Sequence, residues 1–210
     1  MKIGGLQPIT ASDFPGCMAA VVFTQGCNFR CPFCHNGSLL EIDQGKLTAV
    51  EEVLAFLHKR RNLLGGLVIT GGEPCLQAGL ADFCRQVKKM GFKIKLDTNG
   101  SRPQVLKELL EQELLDCIAM DIKAPLHRLP ELTGGKGEAD SIRCSINLIA
   151  NSGIRHFFRT TDVSPLLDQD DHQAIRQLVP SGSPHITQPF VAENALAPAL
   201  RQESGTCRDN

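Results

Sequence analysis

The chain has 210 residues, with 22 Lys and Arg against 23 Asp and Glu and a formal net charge of −1. This balance creates no global field that would attract nucleic acid or an anionic membrane, and we expect neither as a partner. Hydrophobic residues make up 42% of the chain, enough for the core of one domain, and no apolar run reaches the ~18 residues of a membrane span. Because no export signal is visible, the nine cysteines indicate a reducing cytoplasm and metal-bound thiolates rather than disulfides.

Short β-branched or apolar runs alternate with longer amphipathic stretches along the chain. The predicted strands are Met18–Phe23, Leu67–Thr70, Phe92–Asp97, Cys117–Ile122, His156–Thr161 and His185–Phe190. Strands that alternate with helices indicate βαβ units and a parallel sheet. Six such units suit this length better than the eight of a full barrel. We therefore predict an α/β fold over residues 1–191, an open partial (β/α)6 barrel with parallel strands, with a doubly wound sheet as the alternative.

Amphipathic stretches between the strands predict five helices. They are Thr48–Arg60, Leu76–Met90, Pro103–Leu115, Ala139–Asn151 and Asp168–Val179. Thr48 and Glu51 have the spacing of a capping box, and Gly91 is a typical helix stop. Residues 192–210 are small and polar with weak periodicity, which predicts a mobile C-terminal tail.

A cysteine-rich loop, residues 24–36, follows the first predicted strand. Cys27, Cys31 and Cys34 have C-x3-C-x2-C spacing, and three thiolates within eight residues can surround one metal centre. A ferredoxin-type run supplies four cysteines to each cubane, whereas here no further cysteine occurs before Cys75. One iron of a [4Fe–4S] cluster would therefore lack a protein ligand. The alternatives are a zinc site with His35 as fourth ligand, or three unrelated buried thiols.

The loop sequence CNFRCPFCHN, residues 27–36, resembles the cluster loop of the radical S-adenosylmethionine (SAM) superfamily. Cys34-His35-Asn36 is similar to the subgroup that activates glycyl radical enzymes, and the resemblance covers roughly residues 5 to 200. It implies one [4Fe–4S] cluster held by Cys27, Cys31 and Cys34, whose fourth iron chelates the amino and carboxylate groups of SAM. Reductive cleavage of SAM would then give a 5′-deoxyadenosyl radical that abstracts a hydrogen atom.

The resemblance also implies a partner. The segments 10–26, 159–161 and 188–190 look like those of the activators of anaerobic ribonucleoside-triphosphate reductase, so the expected substrate is the glycyl loop of that enzyme. Val191 stands where pyruvate formate-lyase activating enzymes carry a His, which favours the reductase activators. A flavodoxin or ferredoxin is the implied electron donor. Two alternatives remain: a radical SAM enzyme for a small molecule, of the 7-carboxy-7-deazaguanine synthase type, and a zinc-binding interaction module.

In a parallel barrel, functional groups lie at the carboxyl ends of the strands. The second predicted strand ends in Gly71-Gly72-Glu73-Pro74. Two glycines let the backbone approach a ligand, and a backbone carbonyl and Glu73 offer acceptors suited to an ammonium group. The resemblance implies that this motif binds the methionyl amino group of SAM, while an ordinary tight turn is the alternative.

The third predicted strand ends with Asp97 and Asn99, which share one face. They could hydrogen-bond the ribose hydroxyls or the sulfonium end of SAM, or they could form an Asx-type turn. Lys93 and Lys95 lie on the face of Asp97. Two lysines inside a barrel are costly unless that side is open to water or paired. We therefore expect a wetter inner face on this strand.

The remaining strand ends carry charge and one aromatic segment. Asp121 and Lys123 alternate with apolar residues and can pair, and the resemblance places Lys123 at the SAM carboxylate with Asp121 orienting the site. A salt bridge at the rim is the alternative. Arg159 can pair with Asp121 or reach the carboxylate bidentately. Gln188, beside Pro189-Phe190, is interpreted as an adenine wall.

Two residues of the cysteine loop complete the group of SAM-binding residues implied by the resemblance. Phe33 matches the position of an aromatic near adenine, with ordinary core packing as the alternative, and His35 is the other member.

Overall fold

A computed structural model describes residues 1–41 and 47–201. Its seven strands follow one another in a single sheet in the order β1 to β7; β1 is antiparallel to β2, and every later pair is parallel. The strands are β1 (Ile3–Thr10), β2 (Ala19–Thr24), β3 (Gly66–Gly71), β4 (Lys93–Thr98), β5 (Cys117–Asp121), β6 (Arg155–Asp162) and β7 (His185–Pro189). Because β7 and β1 do not pair within the described residues, the sheet is an open partial barrel.

The predicted α/β partial barrel is confirmed, and its six parallel strands are β2 to β7. The sequential strand order rules out the doubly wound alternative, in which the order reverses within the sheet. The antiparallel strand β1 was not predicted. Gly4, Gly5 and Pro8 weaken its strand character, and Pro8 lies where the pairing register with β2 shifts, as an edge strand allows.

In the part of the chain that the structure describes, six helices pack against the sheet. They are α1 (Val50–Arg60), α2 (Leu80–Lys89), α3 (Pro103–Glu111), α4 (Leu129–Leu132), α5 (Ala139–Ala150) and α6 (Gln169–Leu178). Phe83 and Leu106 of these helices join Ile94 and Ile118 of the strands in one large apolar core. In the described residues, no helix has both the length and the apolar character of a membrane span.

Two predicted helix starts are corrected. Helix α1 begins at Val50, and Thr48 forms no cap because its backbone bridges to Ile3 of β1 instead. Helix α2 begins at Leu80, since Pro74–Leu76 forms a separate 3-10 turn and Gly79 adopts a left-handed conformation with φ of 79°.

The third helix ends earlier than predicted, whereas two other helix ends match the sequence. Helix α3 stops at Glu111, and Glu113 has a φ of 54°, which does not continue a helix. Asp168 caps α6 in a capping box with Asp171, and Gly91 follows α2 with a φ of 87°.

The segment predicted as a mobile tail is packed over its described part. Residues 192–201 form two 3-10 turns, Ala192–Asn194 and Pro198–Arg201, and Ala195 and Leu200 are buried in the main core. The backbone of Ala197 also donates a hydrogen bond of 2.8 Å to the carbonyl oxygen of Pro32. These apolar contacts correct the expectation for residues 192–201; the rest of it, residues 202–210, lies outside the described residues.

Candidate active site

One cavity of about 240 Å³ lies at the carboxyl ends of the parallel strands. The candidate site residues that line it are Cys27, Cys31, Phe33, Cys34, His35, Gly71, Gly72, Asp97, Asn99, Asp121, Lys123, Arg159 and Gln188. The structure thus brings together every predicted site residue except Glu73. Because His35 and Gln188 are exposed and line the same cavity, it opens to solvent on the β7 side.

The cysteine loop is tied to the end of β4 by Asn28, Asn99 and Ser101, of which sequence reasoning missed Asn28 and Ser101. Asn28 Nδ2 donates to Ser101 Oγ at 2.9 Å, and Asn99 Nδ2 donates to Asn28 Oδ1 at 3.0 Å. Asn99 Nδ2 also lies 3.9 Å from Cys27 Sγ, which accepts from the backbone N–H of Phe29 at 3.4 Å. Asn28 stood within the quoted motif, but no spacing rule links it to Ser101. These bonds fix the position of the first thiol.

Burial keeps two of the thiols neutral in the metal-free protein. It raises the pKa of Cys27 to about 11 and that of Cys31 to about 12. A thiol must lose its proton to ligate iron, so binding of a metal centre here is expected to release protons.

Two glycines let the turn after β3 approach the cysteine loop. Gly71 has a φ of 108°, and a Cβ at Gly72 would lie 2.2 Å from the carbonyl oxygen of Gly26. The backbone N–H of Glu73 donates to that same oxygen at 2.9 Å. Only glycine allows this approach, so the tight turn is also the wall of the cavity.

Among the predicted site residues, the structure places Glu73 outside the cavity lining, and a contact of its side chain with a ligand stays a prediction. Glu73 is fully buried and does not line the cavity. Its Oε1 accepts from the backbone N–H of Cys75 at 2.9 Å and from Thr98 Oγ1 at 2.8 Å, while Oε2 accepts from the backbone N–H of Asn99 at 2.7 Å. The carboxylate therefore ties the turn after β3 to the end of β4.

Five charged side chains of alternating sign form a continuous row across β4, β5 and β6, which we call the charge row: Lys95, Asp97, Arg159, Asp121 and Lys123. Lys95 Nζ pairs with Asp97 Oδ1, and Asp97 Oδ2 lies 3.2 Å from Arg159 Nη1. Asp121 then accepts from Arg159 Nε at 2.8 Å and from Lys123 Nζ at 3.0 Å. The predicted pairing of Asp121 with Lys123 and with Arg159 is confirmed.

The electrostatics of the charge row stabilise the charged forms of Asp121 and Lys123. Burial alone would raise the pKa of Asp121, but the charges of Arg159 and Lys123 outweigh it and hold that pKa below its usual value. Asp121 also helps to raise the pKa of Lys123 against the effect of burial. The members of the row that line the cavity, Asp97, Arg159, Asp121 and Lys123, are two acids and two bases, so they offer a ligand both acceptors and cationic donors.

His35, which lines the cavity, contacts the segment that follows β7. The ring of His35 stacks on Phe190 with centroids 5.7 Å apart, and His35 Nε2 accepts from the backbone N–H of Val191 at 3.4 Å. Burial and the Lys123 ammonium lower the pKa of His35. A neutral ring at this place suits packing against a ligand, and the adenine contacts predicted for Phe33 and Gln188 stay predictions.

The residues present fit an iron–sulfur cluster with a carboxylate-bearing ligand beside it. Three soft thiols line one cavity, the glycine turn keeps side chains out of it, and Arg159 and Lys123 offer cationic donors to a carboxylate. Over residues 1–41 and 47–201, no three or more His, Cys, Asp or Glu side chains are arranged to hold a single metal ion.

Comparisons with known proteins agree with this site. The chain is 30% identical over 201 residues to MJ1227 of Methanocaldococcus jannaschii, provisionally named a glycyl-radical enzyme activating enzyme, and the match covers 92% of this chain and 81% of that protein. It is 32% identical over 178 residues to the pyruvate formate-lyase 1-activating enzyme of Escherichia coli K12, covering 81% and 71%.

Solved structures resemble the fold. SuiB of Streptococcus suis, bound to its precursor peptide SuiA, has a TM-score of 0.65 at 11% identity, and the similarity covers 88% of this chain and 44% of SuiB. At this identity the likeness shows the fold alone, and the chain spans less than half of SuiB. The family match is direct: residues 21–179 match the radical SAM superfamily. The chain therefore belongs to the radical SAM superfamily, whose cofactors are a [4Fe–4S] cluster and S-adenosylmethionine.

Proposed function

We propose that this protein activates a glycyl radical enzyme, and that its partner is an anaerobic ribonucleoside-triphosphate reductase. The observation that carries the proposal is the convergence of Cys27, Cys31 and Cys34 with the charge row on one cavity. The similarity to MJ1227 over 92% of the chain supports the reaction class. We further propose a cytoplasmic protein that receives its electron from a flavodoxin or ferredoxin.

Each group of residues has a proposed role. Cys27, Cys31 and Cys34 hold the cluster, which with bound SAM supplies the 5′-deoxyadenosyl radical that abstracts hydrogen. Lys123 and Arg159 bind the SAM carboxylate through charge-assisted hydrogen bonds. The carbonyl groups of the glycine turn accept from the amino group of SAM. Phe33, His35 and Gln188 pack around the adenosine moiety, which keeps water away from the reacting atoms.

The open side of the barrel supports a protein substrate. Strand β7 pairs only with β6 in the described part of the chain, and residues 186–189 are exposed. Gln188 belongs both to this exposed strand and to the cavity lining. An extended segment of a partner protein can therefore reach the cavity from this side.

The test is made under anaerobic conditions on reconstituted protein. The wild type, reduced with dithionite in the presence of SAM, is expected to form 5′-deoxyadenosine and to generate a glycyl radical, seen by electron paramagnetic resonance, in added anaerobic reductase. The Cys31→Ala variant is expected to lose iron and both activities. Cys144→Ala is the matched control, because Cys144 is an exposed thiol on α5 and does not line the cavity.

Three results would contradict parts of this assignment. A colourless protein that holds zinc and leaves SAM intact would overturn the enzyme. Cleavage of SAM with a glycyl radical in pyruvate formate-lyase but none in the reductase would overturn the partner. Cleavage that is stimulated only by a small molecule would favour a radical SAM enzyme of the deazaguanine synthase type.

A further inference from the structure

Lys95 is a cation buried inside the barrel that the proposed chemistry does not use. Its side chain is 1% exposed, and it does not line the cavity. In the sheet it lies level with Val68 of β3 and Cys117 of β5, which belong to the apolar inner layer of the barrel. A buried ammonium group costs several kcal/mol of desolvation unless it is well paired. The presence of a lysine at this buried position therefore needs an explanation.

Two groups compensate the charge of Lys95. Asp97 Oδ1 forms an ion pair with Nζ, and the ring of Phe157 lies with its centroid 5.4 Å from Nζ, within cation–π range. Lys93, two residues earlier on β4, is exposed at the start of the strand. Of the two lysines on this face, Lys95 belongs to the charge row and Lys93 does not.

Lys95, at the buried end of the charge row, limits the contacts that Asp97 can make with Arg159. Asp97 has two oxygens: Oδ1 is taken by Lys95, and Oδ2 contacts Arg159 Nη1 at 3.2 Å. Arg159 in turn uses Nε to bond Asp121 at 2.8 Å. Among the described residues, no group pairs with Arg159 Nη2. The guanidinium is therefore held at two corners while it lines the cavity.

We propose that Lys95 is a positioning residue for SAM binding, which acts through Asp97 on Arg159. Without the ammonium group, Asp97 is free to turn both oxygens onto Arg159 in a bidentate pair, the geometry that guanidinium and carboxylate prefer. In that pair, Asp97 occupies the Arg159 N–H donors that otherwise face the cavity. The pair also breaks the bond from Arg159 Nε to Asp121. Lys95 prevents this by occupying Oδ1. The inference rests on the proposed role of Arg159 at the SAM carboxylate.

The test compares Lys95→Met, which keeps length but removes charge, with Lys93→Met as the matched control on the same strand. Affinity for SAM is measured by isothermal titration calorimetry on the oxidised, reconstituted protein, where no turnover occurs. Lys95→Met is expected to weaken binding about tenfold, as is typical when the partner of a ligand-orienting group is removed. Lys93→Met is expected to stay within about threefold of the wild type.

A second readout separates positioning from a general effect of charge. In an Arg159→Lys background, Lys95→Met is expected to change SAM affinity by less than about twofold, since the two residues act as one unit. The Arg159 Nε–H resonance of ¹⁵N-labelled protein is expected to shift in Lys95→Met and to stay in place in Lys93→Met. If Lys95→Met does not fold, Lys95→Gln takes its place, with weaker binding expected again.

The results that overturn the inference are definite. Wild-type affinity in Lys95→Met and Lys95→Gln, or a loss in Lys95→Met that persists undiminished in the Arg159→Lys background, would show that Lys95 does not act through Arg159. These measurements need no partner protein. Failure to find a glycyl radical in the reductase would thus overturn the proposed partner and leave the role of Lys95 intact. Wild-type SAM affinity in Lys95→Met would overturn the role of Lys95 and leave the proposed partner intact.

Discussion

The carboxylate of Glu73 offers a sharp test of the site, because its structural role and the role expected from sequence predict different results. Glu73→Gln keeps size and shape but replaces one oxygen with an NH₂ group. Both carboxylate oxygens accept hydrogen bonds, from the backbone N–H groups of Cys75 and Asn99 and from Thr98 Oγ1. Whichever way the amide is oriented, its NH₂ group faces at least one backbone N–H donor in a site that is fully buried.

The expected loss of stability follows from that mismatch. An unsatisfied buried donor costs about 1–3 kcal/mol of unfolding free energy, and we take about 2 kcal/mol. For a protein of this size, each kcal/mol lowers the melting temperature by about 2–4 °C, so Glu73→Gln is expected to melt about 4–8 °C below the wild type. Glu51→Gln makes the same chemical change at an exposed residue and is expected to melt within about 2 °C of the wild type.

The assay combines thermal unfolding with calorimetric binding of SAM to the reconstituted protein. A lower melting temperature, accompanied by at most a modest loss of SAM affinity, is the expected pattern. An unchanged melting temperature with a large loss of affinity would refute the reasoning. It would mean that the Glu73 side chain is free in the protein and contacts the ligand directly.

Two further changes test the turn and the charge row. Gly72→Ala places a Cβ 2.2 Å from the carbonyl oxygen of Gly26, so we expect about 1–3 kcal/mol of destabilisation and reduced iron incorporation. Gly5→Ala, whose Cβ meets the Phe23 ring at 3.7 Å, should leave iron content unchanged, and equal iron content in both variants would contradict this account. In the charge row, the pKa of Asp121 is lower in the folded protein than in the unfolded chain, where it is about 4. The contribution of the ionised Asp121 to stability is therefore complete above about pH 4 and is lost as the pH falls through the folded pKa. The difference in melting temperature between the wild type and Asp121→Asn should therefore stay constant from pH 7 to about 4.5 and shrink in stronger acid. A difference that also stays constant in stronger acid would show that the pKa is not lowered.

Sequence reasoning succeeded where one local pattern determined the structure. The parallel strands were recognisable because runs such as Leu67–Thr70 and Cys117–Ile122 are apolar and bounded by turns. Most of the site followed from one geometric rule, that strand ends of one polarity meet at one edge. Strand β1 was missed because its glycines and proline conceal a strand held by pairing with β2, which is a non-local contact.

Side-chain direction was beyond the sequence. Glu73 stands at the predicted strand end, but the backbone around it turns its carboxylate into the protein. Lys95 was correctly placed on the inner face, whereas the expected wet environment was wrong, because the lysine is 1% exposed and paired with Asp97 and Phe157. The contact with Phe157 depends on the register between β4, β5 and β6, which no local pattern encodes, whereas Asp97 lies two residues from Lys95 on the same strand.

The contacts between the cysteine loop and the segment after β7 affect the order in which the site is assembled. His35 meets Phe190 and Val191, and Pro32 is bonded by Ala197, about 165 positions later in the chain. At roughly 5–20 residues per second, synthesis takes about 8 to 33 seconds to bridge that interval. The three cysteines are therefore synthesised early, and the segment after β7 that packs against their loop is synthesised last. A nascent chain keeps them accessible to a donor of iron and sulfide through most of its synthesis, and to oxygen for the same length of time.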